Sequence, residues 1–127
     1  MNNEKKKILI IEDDKSLVKL ISEALDSEKF EVILALDSKE GIDKAILERP
    51  AAIVLDILLP GKSGFVCLKK LKGRKETRKI PVIILSNLGQ EEEIREGMRL
   101  GAADYLVKVD FSIEEVVDKI IKAAAKK

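Results

Sequence analysis

Short apolar segments alternate along the chain with longer segments in which apolar residues recur every three or four positions. The apolar segments are ILII (8–11), FEVILAL (30–36), AIVLD (52–56), IPVIILS (80–86) and ADYLVK (103–108). Segments of this length and composition are typical of buried β-strands, whereas the spacing of three and four is typical of amphipathic helices. The pattern therefore predicts five pairs of one strand and one helix.

Two of the predicted helices carry recognisable starting signals. Ser38 stands at the start of the second helical segment and is predicted to be its N-cap. In the last segment, Ser112 and Glu115 have the spacing of a capping box. The side chains behind this box that are predicted to face the core are Ile113, Val116, Val117, Ile120 and Ile121.

Strict alternation of strands and helices predicts a parallel sheet with helices on both faces. The first, third and fourth strands are almost purely apolar, whereas the second contains Glu31 and the fifth contains Asp104 and Tyr105. Purely apolar strands suit the centre of such a sheet, so the second and fifth become its edges and the strand order becomes 2-1-3-4-5. We therefore predict an α/β, flavodoxin-like doubly wound fold, formed by a single domain over residues 1–127.

Length, charge and cysteine content narrow the class of protein. The chain has 127 residues, a usual length for one domain. Its 24 Lys and Arg and 23 Asp and Glu give a net charge of +1. This charge is too small to attract nucleic acid or an anionic membrane to the protein as a whole. The single cysteine, Cys67, cannot form an internal disulfide, and it is expected to be a small apolar residue in a helix face. The segment ILII is too short for a signal peptide or a membrane span. These features favour a cytoplasmic protein that contacts neither nucleic acid nor membrane.

Residues capable of chemistry stand at the predicted carboxyl ends of four strands. They are Glu12, Asp13 and Asp14 after the first strand, Asp56 at the end of the third, Ser86 at the end of the fourth, and Lys108 after the fifth. In sheets of this order, ligands bind beyond these ends, close to the switch point between strands one and three. Crowded carboxylates repel one another unless a cation intervenes, and oxygen ligands without His or Cys suit Mg²⁺. Because Lys108 and Ser86 could contact a phosphate there, the set indicates phosphoryl transfer to a carboxylate.

Together these residues resemble the receiver domain of two-component response regulators over essentially the whole chain. The matching segments are IEDD (11–14), LDILLPGKSG (55–64), Ser86, GAADY (101–105) and Lys108. The resemblance implies that Asp56 is the phosphoacceptor and that Mg²⁺ is bound by Asp13, Asp56 and the backbone carbonyl of Leu58, with Glu12 acting through water. It also implies that Ser86 and Lys108 contact the phosphoryl group and that Ser86 and Tyr105 form the conformational switch.

The function implied by the resemblance is that of a phosphoryl-accepting signalling switch. A sensor histidine kinase or a histidine phosphotransfer protein would supply the phosphoryl group from a phosphohistidine, and the face made by helix four, strand five and helix five would then be remodelled. The domain would catalyse its own phosphorylation and dephosphorylation without being a conventional turnover enzyme.

The implied partners are a kinase, an effector and a second copy of the chain. The kinase would dock along helix one, where the candidate contact residues are Ser16, Leu17, Lys19 and Leu20. The output would pass to a downstream effector protein or to an output domain, and we expect no effector domain within residues 1–127. A phosphorylation-dependent homodimer is a further expectation.

One position departs from the family pattern. The lysine is normally followed by proline in a cis peptide, but here Val109 follows Lys108. A cis bond before a non-proline residue costs about 2.5 to 4 kcal/mol, so this peptide is either trans or strained. The departure keeps open a second function, that of a receiver-like interaction module that works without phosphorylation.

Two protein classes with a related fold or a related nucleophile agree less well with the residues. A flavodoxin-like electron carrier needs a Ser, Thr and Gly-rich loop after the first strand, where this chain has EDDKS. A haloacid-dehalogenase-type phosphatase needs a second aspartate two residues after the nucleophile, where this chain has Leu58.

Overall fold

A computed structural model describes residues 4–59 and 63–126 as β-strands that alternate with α-helices. The strands are β1 (Lys6–Ile11), β2 (Phe30–Ala35), β3 (Ala52–Leu55), β4 (Val82–Ser86) and β5 (Asp104–Val107). The helices are α1 (Lys15–Ala24), α2 (Ser38–Glu48), α3 (Gly64–Gly73), α4 (Glu91–Arg99) and α5 (Ile113–Ala125). A short 3-10 helix (Lys108–Asp110) follows β5. Positions 60–62 of the LDILLPGKSG segment lie outside the described residues.

The five strands form one parallel sheet in the order β2-β1-β3-β4-β5. This order confirms the predicted doubly wound fold and the placing of β2 and β5 at the edges. The register between the two strands beside the switch point pairs Ile11 with Leu55. Glu12 and Asp56, the residues that follow this pair, therefore leave the sheet side by side.

The sheet separates two apolar cores. Along β1, Ile8 and Ile10 point to the core under α1 and α5, whereas Leu9 and Ile11 point to the core under α2, α3 and α4. This division follows from the two-residue period of a strand. Tyr105 belongs to the second core, and Cys67 is fully buried there, as expected for a small apolar residue.

Strand boundaries differ slightly from those of the apolar segments. Backbone pairing in β1 begins at Lys6, two positions before the apolar segment, because Lys6 and Lys7 pair with Phe30 and Glu31 of β2. At the other end, β3 stops at Leu55, so that Asp56 lies just beyond the strand. Apolar content locates the buried part of a strand, whereas its ends depend on the partner strand.

The N-cap prediction for α2 is wrong by one residue. Asp37 is the N-cap, and its Oδ1 accepts a hydrogen bond from the Glu40 amide at 2.8 Å. An ionised carboxylate is a favourable acceptor at the positive end of a helix. Ser38 is instead the first helical residue, and it is buried.

The start of α5 agrees with the sequence, but part of its buried stripe does not. The capping box is present, because Ser112 Oγ accepts from the Glu115 amide at 3.1 Å and Glu115 Oε1 accepts from the Ser112 amide at 2.9 Å. Ile121 is 39% exposed, and Ala123 and Ala124 are buried in place of it. At about 100° per residue, Ile121 lies about 40° beyond Val117 and thus at the margin of the buried stripe, where it is partly open to solvent. Within the ranges described, neither α5 nor another helix has the length and apolar character to cross a bilayer.

Candidate phosphoryl and metal site

Three carboxylates meet at the carboxyl edge of the sheet's centre. Glu12, Asp13 and Asp56 each offer an oxygen within 4.8 Å of the others. Glu12 is 3% and Asp56 is 5% exposed, whereas Asp13 is exposed. The cluster predicted from the strand ends therefore forms, with two buried members and one that faces solvent.

Lys108 bridges the two buried carboxylates. Its Nζ lies 3.0 Å from Glu12 Oε1 and 3.1 Å from Asp56 Oδ2. The β4–β5 register places it there, because Ser86 pairs with Val107 and Lys108 is the next residue. An ammonium group between two poorly solvated carboxylates offsets part of the cost of burying them.

Backbone amides hold the remaining oxygens of the two buried carboxylates. The Leu58 amide donates to Asp56 Oδ1 at 3.0 Å, and the Asp14 amide donates to Glu12 Oε2 at 3.2 Å. Asp14 is itself fixed as the N-cap of α1. Each oxygen of Glu12 and Asp56 thus has a donor, which orients both side chains.

The pKa values in the cluster follow from burial and from this ion pairing. Burial raises the pKa of Glu12 to about 7, although the hydrogen bond from Lys108 acts to lower it and the charge of Asp56 raises it further. For Lys108, burial acts to lower the pKa, but the hydrogen bond to Glu12 and the charge of Asp56 outweigh it, and the pKa is raised. Lys108 is therefore a permanent cation of the site at neutral pH.

Gly64 allows α3 to begin directly against the backbone of Asp56. A Cβ at this position would lie 2.5 Å from the Asp56 carbonyl oxygen and 2.5 Å from Ile57 Cα, closer than side chains approach. The Gly64 amide donates to the Ile57 carbonyl at 2.8 Å. No role for Gly64 was predicted from the sequence, in which its one signal is its place at the end of the LDILLPGKSG segment.

Ser86 and Tyr105 are joined through the backbone of Leu88. Ser86 is fully buried, and its Oγ accepts from the Leu88 amide at 3.3 Å. The hydroxyl of Tyr105 donates to the Leu88 carbonyl at 2.6 Å, and the tyrosine is 8% exposed. Burial, with the charges of Glu93 and Asp56, raises the pKa of Tyr105 to about 12. The two predicted switch residues therefore both contact the backbone of Leu88, in the loop that follows β4.

The residue after Lys108 does not displace it from the site. The peptide between Lys108 and Val109 is trans, since the described part of the chain contains no cis peptide bond. Lys108 opens the short 3-10 helix, and the side chain of Val109 is turned outward, with 83% exposed. The substitution of valine for proline is thus compatible with an ammonium group at Asp56.

Comparison with known proteins agrees with this geometry. The response regulator receiver domain family matches residues 8–121. The chain belongs to this family. As a receiver domain it is 36% identical over 114 residues to the DNA-binding dual master transcriptional regulator RpaA of Synechocystis, covering 90% of this chain and 47% of RpaA.

Two further comparisons extend the result. The receiver domain is 38% identical over 111 residues to the alkaline phosphatase synthesis transcriptional regulatory protein PhoP of Bacillus subtilis, covering 87% of this chain and 45% of PhoP. The chain thus spans about half the length of these curated relatives. Among solved structures, the chemotaxis response regulator CheY4 of Vibrio cholerae superposes with a TM-score of 0.84 at 27% identity, covering 94% of this chain and 99% of CheY4.

The carboxylate cluster of this receiver domain fits a hard divalent cation. Its side-chain donors are all oxygen atoms, the chain contains no histidine, and Cys67 is buried among the apolar residues of the second core. Such a donor set is typical of Mg²⁺ and Ca²⁺ and unfavourable for softer metals. Glu12, Asp13 and Asp56 are therefore suited to hold a metal ion.

Proposed function

We propose that this receiver domain is a phosphoryl-accepting signalling switch whose acceptor is Asp56. The proposal is carried by one observation, the contact at 3.1 Å between Lys108 Nζ and Asp56 Oδ2 in a site where Asp56 is 5% exposed. An exposed aspartate after a strand is commonly a turn residue, but a buried one that is held by an ammonium group is suited to chemistry.

In the proposed site, Mg²⁺ would be held by Asp13, Asp56 and the Leu58 carbonyl, and Glu12 would act on it through water. This set matches the coordination preferred by Mg²⁺, which binds proteins through one or two carboxylates and keeps several waters. When bound, the cation would neutralise charge on the oxygens of the transferred phosphoryl group.

The phosphoryl donor is a phosphohistidine of a sensor histidine kinase or of a histidine phosphotransfer protein, or a small donor such as acetyl phosphate. A carboxylate oxygen of Asp56 attacks phosphorus and forms the new P–O bond. With phosphohistidine, the P–N bond breaks and its electron pair remains on the imidazole nitrogen. With acetyl phosphate, the P–O bond to the acetyl group breaks and acetate leaves. Lys108 offers positive charge to the phosphoryl oxygens, and Ser86 offers its hydroxyl as a donor.

The switch begins when the hydroxyl of Ser86 turns toward the new phosphoryl group. Its contact with the Leu88 amide, 3.3 Å long before phosphorylation, is then lost. Because the Leu88 carbonyl also holds Tyr105, a change in this loop releases the tyrosine and alters the face made by α4, β5 and α5. Phosphorylation would thus shift the population between two arrangements of this face.

Receiver domains of response regulators interact with histidine kinases and with effectors. For this chain we propose that the kinase docks along α1, where Ser16, Lys19 and Leu20 are exposed and Leu17 is half-buried. Leu20 gives this surface an apolar centre, since 51% of it is exposed. The α4, β5 and α5 face would contact an effector or a second phosphorylated copy.

Intact mass after incubation with acetyl phosphate and Mg²⁺ tests the proposal. The wild type should gain one phosphoryl mass, while Asp56→Asn and a wild-type sample with EDTA should gain none. Asp104→Asn is the matched control. Asp104 lies on β5, where it pairs with Lys119 of α5, and it is outside the carboxylate cluster. It should be phosphorylated like the wild type.

A negative result needs a second donor. If neither acetyl phosphate nor an active histidine kinase phosphorylates the wild type, the phosphoacceptor function is wrong. The interaction module that works without phosphorylation would then be the better description.

A further inference from the structure

We propose that the amino-terminal edge of the sheet binds the phosphate backbone of duplex DNA. This edge lies opposite the carboxylate cluster, so the site is separate from the proposed phosphoryl site. The surface, termed the basic edge, consists of five exposed cations: Lys29, Arg49, Lys75, Arg78 and Lys79. The net charge of +1 predicts no such contact, because it averages the basic edge with the acidic residues at the opposite edge.

The first support is the topology, which brings these cations to one edge. Lys29 comes directly before β2, and its carbonyl accepts from the Lys6 amide of β1 at 2.9 Å. Arg49 comes three residues before β3, and Lys79 comes three residues before β4. These four parallel strands are neighbours, so their starts span about 14 Å at about 4.8 Å per strand. A DNA duplex presents about eight phosphate charges over that length.

The second support is that the cations of the basic edge are not neutralised within the protein. Lys7 pairs with Glu48 at 2.7 Å, and Arg74 pairs with Glu76 at 3.8 Å. In the part of the chain that the structure describes, none of the five basic-edge cations forms such an ion pair with Asp or Glu. Their charge is therefore available to an anionic partner.

The positive charge is concentrated in the loop between α3 and β4. At the start of β2, Lys29 shares a groove with Glu4 and Glu28, which reduce the local charge. Residues 74–79 read RKETRK, with four cations and one carboxylate. The dipole of α3 does not account for them, because α3 ends at Gly73 and the effect falls off within the last turn. The charge of this loop is thus not needed to stabilise the helix.

The third support is the way in which this loop is held. Thr77 is fully buried, and its Oγ1 donates to the Leu71 carbonyl at 2.6 Å. The ammonium group of Lys72 donates to the carbonyls of Arg78 at 3.2 Å and Ile80 at 2.8 Å. These bonds fix the backbone from which the basic side chains project. Binding therefore orders less of the chain than it would in a loose loop.

The side chains around the basic edge favour a DNA backbone over other partners. Phe30 and Ile80, which directly follow Lys29 and Lys79, are half-buried and pack against the two cores. Protein interfaces are centred on apolar or aromatic anchors, and single-stranded nucleic acid stacks on aromatic rings. Contacts to a duplex backbone need cations and hydrogen-bond donors, and two of the five cations are arginines, whose planar guanidinium suits phosphate.

Fluorescence anisotropy with a DNA duplex of about 20 base pairs and arbitrary sequence tests the proposal. In about 50 mM salt, the wild type should bind with a dissociation constant below about 100 µM. Raising the salt to about 200 mM should weaken binding by about fortyfold, as expected for three neutralised phosphates. A dissociation constant above about 100 µM in the low salt would overturn the proposal.

The triple variant Lys75→Gln, Arg78→Gln and Lys79→Gln removes three charges from the basic edge. It should bind the duplex at least about tenfold more weakly and lose most of the salt dependence, since each phosphate contact contributes about one to the slope. The bonds made by Lys72 and Thr77 involve backbone carbonyls, so the loop should keep its shape. Phosphorylation by acetyl phosphate like that of the wild type would show that this variant is folded.

The matched control is the triple variant Lys15→Gln, Lys39→Gln and Arg95→Gln. It removes the same numbers of lysines and arginines from exposed positions on α1, α2 and α4. Because both triple variants have the same net charge, they differ only in where the charge was lost. The control should bind the duplex within about twofold of the wild type. Equal losses in the two variants would show that affinity follows net charge, and the proposal would be wrong.

Two other anions test the choice of partner. Vesicles of phosphatidylserine and phosphatidylcholine present charge on a membrane, and the exposed Leu47, two residues before Arg49, makes this probe a fair competitor. Polyglutamate presents the carboxylates of an acidic protein segment. At equal concentrations of anionic charge, both should bind more weakly than the duplex. Tighter binding to either would assign the basic edge to that partner and overturn the proposal.

The outcomes separate this inference from the proposed function. Phosphorylation of the wild type on Asp56 without binding to the duplex would reject only the DNA site. Binding to the duplex through the basic edge without phosphorylation of the wild type would reject only the phosphoacceptor function.

Discussion

Helices α4 and α5 lie on opposite faces of the sheet beside β5, and they begin in a similar way but bury very different residues. In both, a glutamate in the first turn accepts a hydrogen bond from the N-cap amide, Glu93 from Gln90 at 3.0 Å and Glu115 from Ser112 at 2.9 Å. α4 then buries a single residue, Gly97. The buried residues of α5 are Val116, Val117, Ile120, Ala123 and Ala124.

The difference in burial predicts that α5 is held firmly on the sheet and that α4 is held more weakly. Full burial of a large apolar side chain contributes roughly 1.5 to 3 kcal/mol, so α5 has a large packing free energy. Ile94 of α4 and Leu100, the residue that follows the helix, are half-buried against the second core, and Gly97 lies close to the ring of Tyr105. We therefore expect that a local change at Tyr105 moves α4 at lower cost than α5.

The largest expected effect tests the anchor. Ile120 is fully buried, so Ile120→Ala should lower the free energy of unfolding by about 2 to 5 kcal/mol. Ile121→Ala is the control one residue away, where 39% exposure predicts a much smaller loss. Urea denaturation measures both free energies of unfolding. Similar losses for the two variants would mean that burial of Ile120 is not what anchors α5.

The second effect tests the close packing of α4 against Ile84 and Tyr105 at Gly97. A Cβ at Gly97 would lie 2.6 Å from Ile84 Cδ1 and 2.8 Å from Tyr105 Cδ2. Overpacking costs about 1 to 3 kcal/mol, and better helix propensity returns about 1 kcal/mol, so Gly97→Ala should be destabilising by up to about 2 kcal/mol. It should also change the near-ultraviolet circular dichroism of Tyr105, the chain's one tyrosine in the absence of tryptophan.

Gly73→Ala controls for the gain in helix propensity. Gly73 is the last residue of α3, and a Cβ built there would meet no atom within 4 Å beyond its chain neighbours and the backbone of its own helix. This variant should be stabilised by up to about 1 kcal/mol, with an unchanged tyrosine signal. If Gly97→Ala is also stabilised and its tyrosine signal is unchanged, then Gly97 does not pack closely against the ring of Tyr105.

The third effect tests the hydrogen bond that ties Tyr105 to the loop before α4. Tyr105→Phe removes the donor to the Leu88 carbonyl and should cost about 1 kcal/mol. Amide hydrogen exchange should become faster in the loop and in the first turn of α4, and stay unchanged in α5. Faster exchange spread equally over both helices would show that they respond as one unit.

The smallest effect concerns the ion pair that joins α5 to β5. Lys119 Nζ lies 3.5 Å from Asp104 Oδ2, with 40% and 42% of the two side chains exposed. Exposed pairs contribute about 0 to 1 kcal/mol, so Lys119→Met should shift the free energy of unfolding by less than about 0.5 kcal/mol. A loss as large as that of Ile120→Ala would mean that charge, and not burial, anchors α5.

Much of the candidate site was predictable because topology brings strand ends together. Once the alternating pattern predicts a parallel sheet of order 2-1-3-4-5, Glu12 and Asp56 must emerge from neighbouring central strands, and Lys108 from the same edge. The partners of each oxygen were not predictable in this way. The bridge from Lys108 to Glu12 was missed, because a strand end does not reveal which way a long side chain turns.

Of the two helix starts predicted from the sequence, that of α5 is confirmed and that of α2 is wrong by one residue. The capping box of Ser112 and Glu115 was predictable, because both of its hydrogen bonds lie within one turn. Ser38 was the predicted cap of α2, whereas the adjacent Asp37, a residue type equally suited to capping, is the N-cap in the structure. Neighbouring candidates are distinguished by where the helix begins, which depends on packing against the sheet.

By itself, the sequence determined the five strands, their order and the chemical character of the edge where Asp56 lies, because strand and helix periods are local properties of the chain. Tertiary structure alone decided that Lys108 bridges Glu12 and Asp56, that Gly64 contacts the backbone of Asp56, and that Gly97 covers Tyr105. These contacts join segments far apart in the chain, and distances between such segments are set by how helices pack on the sheet.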